Sequence, residues 1–99
     1  MLVVHGHAEA ELNSAADYYD GQQPGLGAEF RAAVETVYHE LQENPHLGAA
    51  YRNSRFRFFP LQRFPYVVYY AELPPDILWV VAVAHGSRRP GYWRRRRFP

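Results

Sequence analysis

Arginines, one histidine and aromatic rings recur between Arg55 and Arg97 at spacings that suit anion chemistry. Arg55 and Arg57 alternate with Phe56 and Phe58, and Arg63 opens Arg63-Phe64-Pro65-Tyr66. His85 leads into Gly86-Ser87-Arg88-Arg89-Pro90-Gly91-Tyr92-Trp93-Arg94. A guanidinium is a planar, permanently charged fork that grips phosphate or carboxylate with two parallel hydrogen bonds. Together Arg55, Arg57, Arg63 and Arg88 would form a site for a polyanion or an acidic partner, provided the fold makes them converge. A histidine among them is either a structural residue held by a backbone carbonyl or a general acid or base whose neutral form the surrounding cations would favour. Tyr92 and Trp93 are either stacking platforms or packing anchors for the tail. The plain alternative for the arginines is solvation of an aromatic-rich surface.

Charge is divided unevenly along the chain. Residues 1–50 carry Arg31 against eight acids, a net of −7, whereas residues 51–99 carry ten arginines against Glu72 and Asp76, a net of +8. All eleven basic residues are arginine, with no lysine, a bias that GC-rich coding would also produce. Cysteine is absent, which removes disulfides and thiolate metal sites. His5-Gly6-His7 with Glu9 and Glu11 superficially resembles a metal cluster. Its spacing matches no standard site, and the two acids point apart on a helix, so neither a metal nor a cofactor is expected. The chain holds no glycine-rich phosphate loop and no context for a serine or cysteine nucleophile. Apolar runs stay below the ~18–20 residues needed to span a bilayer. Leu2-Val3-Val4 follow the first methionine without a charged leader or cleavage site, so a cytoplasmic location is expected.

The elements that must hold these groups are legible from periodicity. Leu2–His5 reads as a short strand. From Ala8 to about Tyr19, Leu12, Ala15, Ala16 and Tyr19 form one helical stripe, with Glu9 and Glu11 in a first turn that favours acids. Gly21–Gly27, containing Pro24, breaks it. Leu26, Phe30, Ala33, Val34, Val37 and Leu41 define a second helix that must stop by Asn44, because Pro45 disfavours helical geometry in its predecessor. Phe56 and Phe58 alternate with arginines as a half-exposed strand, edged or bulged by Pro60. Phe64–Leu73 and Ile77–Ala84 are long Val-, Tyr-, Ile- and Trp-rich runs around Leu73-Pro74-Pro75-Asp76, where adjacent prolines force a reversal. The tail from Arg94 to Pro99 lacks periodicity and is expected to fray or form a short helical turn. The whole predicts one α+β domain over residues 1–99, ordered β-α-α-β-β-β. Its N-terminal helical hairpin covers a three- to four-stranded, mostly antiparallel sheet, and the other face stays open for function.

Two acidic helices, Arg57, the Arg63-Phe64-Pro65-Tyr66 block with Tyr69-Tyr70, and Ala82-Val83-Ala84-His85 with Arg88, Pro90 and Tyr92-Trp93 together resemble the RelE/ParE superfamily of bacterial type II toxins. The resemblance spans Ala8 to Arg94. It implies the same β-α-α-β-β-β fold and a cognate antitoxin, here one with an acidic amphipathic segment suited to the basic half. It also implies growth arrest by one of two routes. RelE-like members cleave ribosome-bound mRNA; ParE-like members inhibit DNA gyrase and hydrolyse nothing. On the first route no metal is needed: Arg57 and Arg88 would stabilise the phosphorane, His85 would move a proton, and Tyr92 or Trp93 would stack a splayed base. Arg55, Arg63, Arg89, Trp93 and Arg94 would contact target or RNA. RelE-like lysines have no counterpart, although Arg55 or Arg63 could replace their charge. The ending Phe98-Pro99 differs from the His-Tyr ending of some ribosome-dependent nucleases. The Arg-Phe-Pro-Tyr block is nearer the ParE branch, and gyrase is therefore the favoured target, with mRNA cleavage the alternative.

Overall fold

The computed structural model describes residues 1–98. Its elements are β1 (Leu2–Val4), α1 (Gly6–Gln22), α2 (Leu26–Glu43), β2 (Ala49–Ala50), β3 (Phe56–Pro60), β4 (Tyr66–Leu73) and β5 (Ile77–His85). The strands form one sheet in the order β1-β5-β4-β3-β2. Only β1 pairs in parallel, alongside β5; the other pairings are antiparallel. The fold class is α+β as expected, but the sheet has five strands rather than three or four. The addition is the two-residue β2, too short for periodicity to reveal.

The helices run longer than their apolar stripes. His5 caps α1, its Nδ1 accepting from the His7 N–H at 3.0 Å, so the helix begins a turn before Leu12 can mark it. Gly21 lies inside α1, and the break comes at the Gln23–Gly25 turn, where Gly25 adopts φ 90°. Gly27 allows the two helices to touch: a Cβ there would collide with the Ala16 carbonyl oxygen. Its N–H also donates to Asp20 Oδ1 at 2.8 Å, which locks the hairpin corner. Asn44 ends α2 just before Pro45, as the proline rule demands.

The helical hairpin covers one sheet face with a core that includes Phe30, Val34, Leu41, Val68, Tyr70 and Val80. Tyr19, Phe30, Phe64 and Tyr66 knit helices to sheet, with ring centroids 4.9–5.3 Å apart for Tyr19–Phe64, Phe30–Tyr66 and Tyr19–Phe30. The opposite face, expected to be open, is covered. Tyr51, Phe56, Trp79, Val81 and Trp93 form a second core there, and Trp93 keeps only 1% of its surface exposed. The tail beyond it takes the other expected form, a short turn, with the Arg94 N–H donating to the Gly91 carbonyl and the Arg96 N–H to the Trp93 carbonyl. A large, mostly apolar indole on a sheet face that would otherwise be wet removes more apolar area from water than an extended tail could. Pro99 lies outside the described residues.

Candidate functional site

A β-bulge decides which side chains meet. Across β4 and β5, Tyr69 faces Ala82 while Tyr70 faces Val80, leaving Val81 as an extra residue without a partner. Side chains alternate along a strand, so one extra residue flips everything after it to the other face. Leu78 and Val80 point at the helices before the bulge, and Val83 does so after it, whereas Trp79, Val81 and Ala82 belong to the second core. Without the bulge, His85 would share the face of Trp79. With it, His85 stands beside its strand partner Tyr66, ring edge to ring face at 5.2 Å, on the helix side.

The result is a groove of about 840 Å³ between α1 and the ends of β4 and β5. Ala15, Tyr19, Tyr66 and Val83 supply an apolar floor, Tyr18 stands exposed at its edge, and His85 and Arg88 form the basic rim. The His85 Nδ1 accepts from the Ser87 N–H at 3.0 Å and lies 2.8 Å from Ser87 Oγ. A backbone amide can only donate, so the neutral ring carries its proton on Nε2, as a donor.

Glu11 is the centre of the surrounding electrostatics. Its carboxylate accepts a bidentate pair from Arg96, at 2.9 and 2.8 Å, together with the Tyr92 hydroxyl and the Val83 N–H at 3.1 Å. Arg96 Nη1 also donates to the Val81 carbonyl at 2.9 Å. The edge of β5 explains the arrangement. β1 stops at Val4 opposite Val80, so the next backbone groups of β5 lack a strand neighbour on that side. A buried backbone group must find a partner, and Glu11 and Arg96 provide them. Burial alone would push the Glu11 carboxyl up. The hydrogen bonds from Arg96, Tyr92 and Val83 outweigh it and hold the group below its ordinary value. Burial, then the Glu11 carboxylate, pushes the Tyr92 phenol up, and the bond to Glu11 raises Arg96.

A profile of the family described as "ParE toxin of type II toxin-antitoxin system, parDE" matches residues 2–90 of the chain. The chain belongs to the ParE toxin family. No curated protein sequence matches it. Among solved structures, the chain resembles one titled "Chromosomal ParDE TA system from P. aeruginosa", with 17% identity and a TM-score of 0.73, over 85% of this chain and 92% of that one. At that identity the likeness is one of fold. The protein is thus a type II toxin of the ParE type.

In this ParE-family toxin the residues singled out from sequence separate into groups. His85, Arg88 and Tyr92 come together: the Arg88 guanidinium lies 3.9 Å from the Tyr92 ring centroid, and Arg88 and His85 share the groove rim. Arg57 does not join them. It pairs with Tyr70 on the helix side of the sheet, donating to the Gly48 carbonyl at 2.8 Å. Tyr70 is four residues along β4 from Tyr66, the partner of His85, which sets Arg57 roughly 13 Å away along the strand alone. Arg57 faces the helices because its strand neighbours Phe56 and Phe58 take the second core on the opposite face. Arg63 pairs with Glu29 at 2.8 Å on the exposed surface, a contact worth little in water. Arg55 caps the second core, its guanidinium 5.3 and 5.6 Å from the Phe56 and Trp79 rings. Trp93, considered as a stacking surface, lies beneath the tail against Tyr69, Phe56 and Tyr51. Arg89 and Arg94 are exposed.

Glu11, Arg96 and Ser87 escaped the sequence reading. Glu11 looks like an ordinary first-turn acid, and its partner is 85 positions away, beyond the reach of any spacing rule. Among the described residues, no set of three His, Asp or Glu side chains gathers to hold a metal, and no helix is long and apolar enough to cross a membrane.

Proposed function

We propose that this toxin arrests growth by binding DNA gyrase and stalling it on DNA, acting in the cytoplasm. Membership of the ParE family carries the proposal. The site supports binding over hydrolysis. Cleavage of RNA through its own 2′-hydroxyl needs a free base, an acid and at least two cations around one phosphate. Glu11, the carboxylate nearest the groove, is fully engaged by Arg96, Tyr92 and Val83, and Arg57 lies elsewhere on the sheet. Purified toxin is expected to inhibit gyrase supercoiling at near-stoichiometric ratio and to trigger a DNA-damage response in cells. His85→Gln should change inhibition by less than about threefold, because no proton is transferred. Absence of inhibition at excess toxin, with codon-phased mRNA cuts after induction, would replace this reading with the nuclease.

The groove, we infer, receives the antitoxin. An amphipathic segment with an acidic edge would bury its apolar side against Tyr19, Tyr66 and Val83 and set carboxylates against Arg88 and His85. Arg88→Glu should weaken toxin–antitoxin affinity at least about tenfold, chiefly at low salt, since like charges would then meet at the rim. Calorimetry across a salt series reads this directly. An unchanged affinity would move the antitoxin off the groove.

A further inference from the structure

The tail of this chain combines high charge with a fixed backbone, and the gyrase reading uses neither. Arg88, Arg89, Arg94, Arg95, Arg96 and Arg97 fall within ten residues, and no acid follows Asp76. A run of this kind is ordinarily a mobile, solvated strand of charge. Here it is anchored at two points. Trp93 is buried to 1% exposure, with the rings of Tyr69, Phe56 and Tyr51 at 4.7, 4.9 and 5.1 Å. Arg96 is held by Glu11 and the Val81 carbonyl. Between and around these anchors the backbone turns on itself, with the Arg94 N–H bonded to the Gly91 carbonyl and the Arg96 N–H to the Trp93 carbonyl, both at 3.0 Å.

Anchoring Trp93 and Arg96 leaves their neighbours outside. Arg89, Arg94, Arg95 and Arg97 are exposed, and among the described residues only Arg96 of the six has a carboxylate partner. Arg88 is drawn to the same place, because its guanidinium and that of Arg96 lie 3.9 and 5.2 Å from one Tyr92 ring centroid. Five guanidiniums without a carboxylate partner among the described residues therefore sit on a short, tethered turn that mutual repulsion would otherwise spread.

We propose that this turn is a binding surface for the phosphate backbone of duplex DNA. Shape selects that ligand over an acidic protein segment. A peptide needs grooves for its side chains, and of these five arginines Arg88 alone lines the groove beside α1. Phosphate contacts need only exposed, correctly held cations, and the guanidinium fork fits a phosphate with two bonds. A duplex offers one negative charge per ~1.7 Å of axis, dense enough for several arginines on one turn to be satisfied at once. Contacts of this type carry no base sequence information, so the surface binds without sequence preference.

The test uses the full purified chain and a fluorescent 20-base-pair duplex, with affinity measured by anisotropy from 50 to 200 mM salt. Binding is expected with Kd on the order of 10⁻⁵ M near physiological salt and a log–log salt slope of about −4, for four to five neutralised phosphates. The triple variant Arg94→Gln, Arg95→Gln, Arg97→Gln changes only exposed side chains. It should bring the slope up by roughly 2–3 and weaken binding more than about tenfold at 50 mM salt, with melting temperature unchanged. Arg31→Gln, on α2, should do nothing to either. No binding at 50 mM salt, or a triple variant that binds like the parent, overturns the proposal. So does tighter binding to polyglutamate or to single-stranded RNA than to the duplex. A toxin that inhibits gyrase yet fails these tests loses only this surface, and one that passes them without inhibiting gyrase keeps it.

Discussion

Trp93→Ala is expected to lower the unfolding free energy by about 3–5 kcal/mol, the range for removing a large buried ring from a core. Domains of this size have only about 5–15 kcal/mol in total, so the change approaches loss of the fold. The melting temperature should fall by roughly 12–25 °C. Trp93 is the reason the second sheet face is dry. It packs on Tyr69, Phe56 and Tyr51, in the same buried cluster as Trp79 and Val81. Trp93→Phe keeps much of the contact and should cost less than half as much. Thermal unfolding followed by near-UV circular dichroism separates the two variants. A fall below about 3 °C for the alanine variant would mean that the tail is not seated on the sheet.

Glu11→Ala attacks the same docking from the other side of the molecule. It strands the Arg96 guanidinium, the Tyr92 hydroxyl and the Val83 N–H without their acceptor. Removing one partner of a buried pair costs about 3–5 kcal/mol; with the side chains of Arg96 and Glu11 still 14% and 16% exposed, about 2–4 kcal/mol is expected here. The tail should loosen before the helices do, so trypsin should cut after Arg94, Arg95 and Arg97 many times faster than in the parent. Acid should reproduce the effect. The folded pKa of Glu11 lies below its ordinary value of 4.5, so the folded state binds this proton less readily than the unfolded chain. Its stabilisation is complete above that ordinary value and disappears as pH falls through the folded pKa. Parent protein should therefore lose tail protection below about pH 4.5, whereas Glu11→Gln should show little dependence on pH in that range. Equal pH profiles for the two proteins would remove Glu11 from this role.

Both variants act on contacts that join positions more than twenty residues apart, and this marks where the sequence stopped being informative. Periodicity is local, and it placed the two helices, the Pro74-Pro75 reversal and the two long strands, because a helix or strand buries its stripe at a fixed spacing whatever lies opposite. The proline before His46 ended α2 for an equally local reason. Residue type alone set the division between an acidic first half and an arginine-rich second half, and the residues that carry the family resemblance are contiguous blocks. The bulge at Val81 left no such mark, since a run of Val and Ala gives no sign of where alternation slips. Yet that single extra residue turned His85 and Val83 toward α1 and so made the groove. Glu11 and Arg96 found each other only because β1 ends early and leaves the β5 edge in need of partners. Arg57 turned to the helix side because Phe56 and Phe58 took the second core, yet it stays apart from His85 because its partner Tyr70 lies four residues along β4 from Tyr66. Helices, strands and charge were properties of short segments; the groove, the tail's anchorage and the company each arginine keeps depend on which distant backbone groups and rings lacked partners, and only the assembled fold determines that.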